Sequence, residues 1–236
     1  MGGAPDSDAA VFEPFIDEVE QRSAARNRVP RIAVVLFDHE GSGARYLPTY
    51  VDPIEGRISC LITAIYLRPN ETAAANAFDD VDGIVVGGGP TPEYLEALRG
   101  AAAVIARTVA AGAPYIGFSA GAMIAPASAL IGGYRVNGRE VCSEGSSEGL
   151  SELTFRPGLG LVPFAVDVHA AQAGTLSRAV SAVDHDFVDV VVAIDEDTAL
   201  AVDHADQHAT RVVGTGNCWM ISKAAGKTMV SLRAAD

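Results

Sequence analysis

Four short apolar runs, each stopping at a glycine-rich or polar loop, constrain this chain more than any other feature. They are RIAVVLF (Arg31–Phe37), ISCLITAIYL (Ile58–Leu67), DGIVV (Asp82–Val86) and APYIGF (Ala113–Phe118). A strand that is apolar at nearly every position is buried on both faces, as happens in a parallel sheet covered by helices. Helical spacing from Pro92 to Ala111, closed by Gly112, separates the third run from the fourth. A second helix is expected over AGAMIAPASAL (Ala120–Leu130). Strands alternating with helices predict an α/β fold built on a doubly wound, mostly parallel sheet.

The second half reads differently. Gly132–Leu150 is polar and glycine-rich and suggests a hairpin or loop, and Thr175–Val183 a helix. VVVAI (Val190–Ile194), TALAVD (Thr198–Asp203), TRVVG (Thr210–Gly214) and TMVSL (Thr228–Leu232) are short strands split by turn residues, an antiparallel-leaning C-terminal extension. No repeat or linker interrupts the chain, so residues 30–236 are expected to form a single domain. Residues 1–29, acidic and alanine-rich, form an extension, either one helix over roughly Ala9–Arg26 or a disordered stretch. A dimer arm, making a homodimer, a lid and a tail are all open as its role.

Composition narrows the function classes. With 17 basic and 30 acidic residues the net charge is −13, which disfavours nucleic acid and anionic membrane as partners. No apolar run approaches a membrane span, and the start MGGAPDSDAA lacks the features of a signal peptide. Cys60, Cys142 and Cys218 are too widely spaced for a disulfide framework or a zinc site. These features predict a cytoplasmic globular protein.

GFSAG (Gly117–Gly121) matches G-x-S-x-G, the turn that lifts a serine from a strand end into a helix start. There the Ala120 N–H, at a helix N-terminus, would face an oxyanion. A second match, GSSEG (Gly145–Gly149), centres on Ser147 but has no strand before it and reads as a solvated loop. Ser119 is either a nucleophile or a small residue packed at a strand–helix turn. Gly87-Gly88-Gly89 ends the third strand, where α/β sheets bind ligands, and Gly88 or Gly89 would supply a second oxyanion donor. Pro90 has no N–H to offer.

A serine nucleophile needs a base and an orienting carboxylate. His39, His185, His204 and His208 fall in polar turns and are expected at the surface, whereas His169 ends the run VPFAVDVH at a strand terminus. Taken alone, a histidine there is more often a structural residue than a general base. Asp195-Glu196-Asp197 follows VVVAI directly, and strand alternation points Glu196 away from its two neighbours.

The ordered set resembles the S51 family of serine peptidases, which contains cyanophycinase and the aspartyl dipeptidases. GFSAGA (Gly117–Ala122) is similar to the family's nucleophile motif and VVGGGPTPEYLEAL (Val85–Leu98) to its oxyanion segment. GLGL (Gly158–Leu161) with VDVH (Val166–His169) resembles its histidine stretch, and IDEDTALAV (Ile194–Val202) its acid-bearing segment. The resemblance implies a class I glutamine amidotransferase-like fold, with Ser119 as nucleophile, His169 as general base and Glu196 as orienting acid. The oxyanion hole would be Ala120 with Gly88 or Gly89, and no metal or cofactor is required. QAGTLSRA (Gln172–Ala179) keeps Gln172 and Arg178, the expected substrate contacts, but lacks two arginines of the cyanophycinase pattern, which implies an altered pocket. The leading expectation is hydrolysis of peptide or isopeptide bonds in small peptides. A non-catalytic ligand-binding protein on the same fold, and an esterase or acyltransferase, remain open.

Overall fold

The first strand, β1 (Arg31–Phe37), is buried from Ile32 to Leu36 and lies inside a four-stranded parallel sheet. Its neighbours are β2 (Leu61–Leu67) and β3 (Gly83–Val86), and β4 (Tyr115–Gly117) completes the order β2-β1-β3-β4. Central β3, and β1 beyond Arg31, are apolar because both of their faces are covered. The computed structural model describes residues 9–203 and 210–235. The chain divides into two units, Met1–Gly121 and Ala122–Asp236.

In the first unit a 3-10 turn over Ala9–Phe12 runs into α1 (Glu13–Ala25), which buries Phe15, Ile16 and Val19. Phe15 and Val19 pack at Gly83, the first residue of β3. Behind α1, the guanidinium groups of Arg26 and Arg28 bond the buried Asp82 carboxylate at 2.7 and 2.9–3.0 Å, and the Arg31 N–H bonds it at 3.1 Å. This fastens the segment ahead of β1 to the entry of β3.

α2 (Ser42–Glu55) contains Pro48 and Pro53, which hid it in the sequence, and it buries Tyr50, Val51 and Ile54. The helix expected over Pro92–Ala111 is α3 (Thr91–Leu98), a 3-10 turn (Arg99–Ala101) and α4 (Ala102–Ala110). The break falls at Gly100, a poor residue for a helix interior. α5 (Ala120–Ile124) is also shorter than expected, because Pro126 cannot continue it. The residues beyond enter a strand, β5 (Ser128–Gly132).

In the second unit β5 pairs antiparallel with β8 (Thr154–Pro157), and β6 (Arg135–Val136) and β7 (Arg139–Glu140) form a hairpin around Asn137-Gly138. In the larger sheet parallel β9 (Ala165–Val168) and β10 (Val190–Ile194) are followed by antiparallel β13 (Asn217–Ala224) and β14 (Lys227–Ala234), in the order β14-β13-β10-β9. Ala225 and Gly226, both with positive φ, make the two-residue turn of the β13–β14 hairpin. β11 (Thr198–Val202) and β12 (Thr210–Gly214) form a separate antiparallel pair. α6 (Leu176–Asp184) buries Ala179, Ala182 and Val183 in a cluster with Val166, Val191, Ala193 and Ile221.

Ser147 is buried rather than solvated: its carbonyl accepts from the Gly133 N–H at 2.9 Å, and its Oγ accepts from Gly149 N–H at 3.2 Å. Among the described residues no helix is long and apolar enough to cross a membrane.

Candidate active site

Parallel register sets two loops side by side at the carboxyl edge of the first sheet. Val86 pairs with Gly117, so Gly87–Gly89 leave β3 next to Phe118 and Ser119 leaving β4. Phe118 N–H bonds Val86 O at 2.9 Å, and Gly121 N–H bonds Gly87 O at 3.2 Å and Phe118 O at 2.9 Å. Within that frame Ser119 takes a φ of 49°. A non-glycine residue in the left-handed region costs on the order of 1–2 kcal/mol, and such strain persists only where the surroundings impose it. Gly121 is required for the turn, since a Cβ there would lie 2.3 Å from Val86 O.

The Gly88 N–H is already engaged, donating to the Tyr50 hydroxyl at 3.0 Å. Gly89 N–H makes no hydrogen bond among the described residues, which favours it over Gly88 as an outward-facing donor. A Cβ on Gly88 would meet Ser119 Cβ at 3.2 Å, so this loop packs directly on the serine. Tyr94 braces the loop from its other side: its hydroxyl accepts from Phe37 N–H at 2.8 Å and donates to Gly88 O at 3.3 Å. With α5 only five residues long, the Ala120 N–H counts as a fixed backbone donor and less as the end of a helix dipole.

In the second unit register again does the positioning. Val168 pairs with Ile194 in the parallel β9–β10 ladder, so His169 and the acidic turn emerge at the same end of adjacent strands. His169 Nδ1 lies 3.0 Å from Glu196 Oε1, with the imidazole 31% and the carboxylate 51% exposed. A carboxylate in its ionised form only accepts, so this contact selects the tautomer with the ring proton on Nδ1. Like Ser119, His169 has a left-handed backbone, with φ 58°.

Asp195 anchors this corner, a role its acidic neighbours masked in the sequence. Its buried carboxylate accepts from Ala171 N–H at 3.0 Å, Asn217 N–H at 3.1 Å, Asn217 Nδ2 at 3.0 Å and Trp219 Nε1 at 3.3 Å. The turn after His169 is thereby tied to β10 and β13. Gln172 adds to this, its amide oxygen accepting from the Glu196 N–H at 3.0 Å.

Arg178, expected to contact substrate, is instead 2% exposed. Its Nε and Nη2 bond Asp167 at 2.8 and 2.6 Å, and its Nη1 bonds Ser146 O at 2.5 Å and Gly133 O at 3.3 Å. A guanidinium so enclosed holds α6, β9 and the 133–146 segment together and is not presented to a ligand. GLGL also has a structural reason. The N–H groups of Leu159, Gly160 and Leu161 take the carbonyls of Ile124, Pro126 and Ala125 freed where α5 stops. Gly158 lies so close that a Cβ would be 2.1 Å from Pro126 O.

The remaining histidines divide simply. His39 and His185 are exposed, and His204 and His208 lie outside the described residues. Among the described residues no three His, Cys, Asp or Glu side chains are grouped to hold a metal ion.

The family model of peptidase family S51 matches residues 29–210, about three quarters of the chain. The chain belongs to peptidase family S51. Among solved structures it is similar to a peptidase from an acI-B1 Actinobacterium, at 16% identity and a TM-score of 0.67, covering 95% of this chain and 89% of that one. A candidate peptidase E protein from Listeria monocytogenes EGD-e gives 18% identity and a TM-score of 0.49, over 94% of this chain and 95% of that one. No curated protein matches the sequence. The S51 fold accounts for the parallel sheet, and membership assigns peptidase chemistry and peptide substrates.

Proposed function

We propose that this S51 peptidase is a serine hydrolase acting on peptide or isopeptide bonds of small peptides. Ser119 Oγ attacks the carbonyl carbon while His169 Nε2 takes the hydroxyl proton. Glu196 holds the imidazole in the productive tautomer and stabilises the imidazolium. Backbone N–H groups of Ala120 and Gly89 bind the oxyanion. As the C–N bond breaks, His169 returns the proton to the leaving amine. Water, deprotonated by the same imidazole, then hydrolyses the acyl-enzyme and regenerates the serine.

The observation that carries this reading is the His169–Glu196 pair at 3.0 Å, delivered by β-strand register and locked by Asp195 and Gln172. An oriented histidine–carboxylate pair in a chain of a peptidase family is the arrangement a general base requires. Arg178 is internal, so of the expected substrate contacts only Gln172 is exposed, consistent with a cyanophycinase-like enzyme whose pocket has diverged.

A panel of dipeptides, isopeptides and matching esters, run with the native protein and with Ser119→Ala, tests the proposal. Hydrolysis of an amide substrate that disappears in the variant supports it. Undiminished turnover by Ser119→Ala overturns it.

A further inference from the structure

Three tyrosines of the first unit, Tyr50 and Tyr94 almost completely buried and Tyr115 half-buried, have hydroxyls at or near the two loops of the candidate site. Two of them use their O–H protons internally: Tyr94 donates to Gly88 O, and Tyr115 donates to Gly121 O at 2.7 Å. Tyr50 is the exception. It accepts from the Gly88 N–H at 3.0 Å, yet its own proton meets no acceptor among the described residues. Tyr50 is only 3% exposed, and an unmet donor at that depth costs roughly 1–3 kcal/mol.

The position of that proton is informative. A Cβ placed on Gly88 would have Ser119 Cβ at 3.2 Å and Tyr50 Oη at 3.8 Å, so both lie on one side of the glycine loop. The Phe118 ring packs edge-on against the Tyr50 ring, with centroids 5.1 Å apart, which fixes the phenol next to the serine turn. A phenol that accepts a hydrogen bond also becomes a stronger donor.

We infer that the Tyr50 hydroxyl is a side-chain donor to the oxyanion formed at Ser119, taking the place that the engaged Gly88 N–H would have filled. The inference rests on the serine-peptidase reading. Gly88 N–H polarises the phenol, and the phenol completes the anion-binding set with Ala120 and Gly89. Burial raises the Tyr50 phenol above its ordinary range, so it keeps its proton through the working pH of a peptidase.

The test replaces Tyr50 by Phe and, in the intact protein, by 3-fluorotyrosine and 3,5-difluorotyrosine. The probe is phenylboronic acid, which adds to a serine hydroxyl as a tetrahedral anion. Tyr50→Phe should lower kcat about 100-fold with little change in KM, and weaken the boronate comparably. Fluorination makes the phenol a better donor and a poorer acceptor. Boronate affinity should therefore rise along the series if Tyr50 donates to the anion. Affinity that falls or stays level along the series identifies a mere brace for Gly88 and overturns the inference. The fluorinated proteins keep the native shape, so misfolding of the Phe variant does not decide the matter. A native protein that neither binds the boronate nor reacts with a fluorophosphonate defeats the underlying serine reading. A reactive native protein with an unaffected fluorotyrosine series defeats the Tyr50 inference alone.

Discussion

His169 Nδ1 and Glu196 Oε1 meet at 3.0 Å because Val168 and Ile194 are register partners in a parallel ladder. The two residues are 27 positions apart, and each is the first or second residue past its strand. Parallel pairing brings these nearly matched offsets into contact.

Glu196→Gln keeps the shape of the pair but removes the charge that favours Nδ1–H and the imidazolium. Steady-state kinetics should show kcat reduced by about 100- to 10,000-fold with a smaller change in KM. The half-exposed carboxylate argues for the lower end of that range. An unchanged kcat would remove Glu196 from the site.

Arg178 is predicted to matter for stability and not for substrate affinity. Removing it strands the buried Asp167 carboxylate, a loss of about 3–5 kcal/mol. Urea unfolding of Arg178→Met should show this, while KM measured on the folded fraction stays at the native value. Pairing that change with Asp167→Leu should recover most of the stability, since an apolar pair of similar volume replaces a buried ion pair at little cost.

Asp82 gives the first unit an acid-sensitive joint. Burial alone would raise its carboxyl, but hydrogen bonds from Arg28 and Arg26 outweigh this and hold it below the usual carboxylate range. The folded state therefore binds the Asp82 proton more weakly than the unfolded chain does. Its stabilisation is complete above the ordinary carboxylate range and is lost as pH falls toward the depressed value. Thermal unfolding between pH 7 and pH 3 should lose part of its steepness in Asp82→Asn, whose stability at pH 7 is already reduced.

Gly121→Ala should destabilise the serine turn by about 3 kcal/mol or more, because its Cβ would strike Val86 O at 2.3 Å. Gly100→Ala is the control. Nothing lies within 4 Å of its Cβ position, and alanine there should be neutral or stabilise by about 0.5 kcal/mol. Chemical denaturation of both variants checks the contrast.

Much of this was legible in the residues. The continuous apolar runs announced a parallel sheet because double-sided burial leaves no polar positions in β3 or in β1 beyond Arg31. G-x-S-x-G after a strand announced the serine turn for the same local reason that Gly121 is required. Other features left no such trace. Pro48 and Pro53 disguised α2, although Tyr50, Val51 and Ile54 at helical spacing mark its buried face. Strand alternation sets Glu196 apart from Asp195, but only tertiary partners reveal Asp195 as an internal anchor. The polar surroundings of Ser147 suggest a solvated loop, and the resemblance to the cyanophycinase pattern makes Arg178 a substrate contact; burial reverses both expectations.

The central claim is that His169 activates the Ser119 hydroxyl, and the rate of fluorophosphonate labelling, with the modified residue located by peptide mass mapping, tests it most directly. The account predicts fast labelling of Ser119 in the native protein, none there in Ser119→Ala, and labelling slowed by two or more orders of magnitude in His169→Ala, a cost typical of losing a general base. Labelling of Ser119 no faster than that of Ser147, or a rate unchanged by His169→Ala, would contradict it.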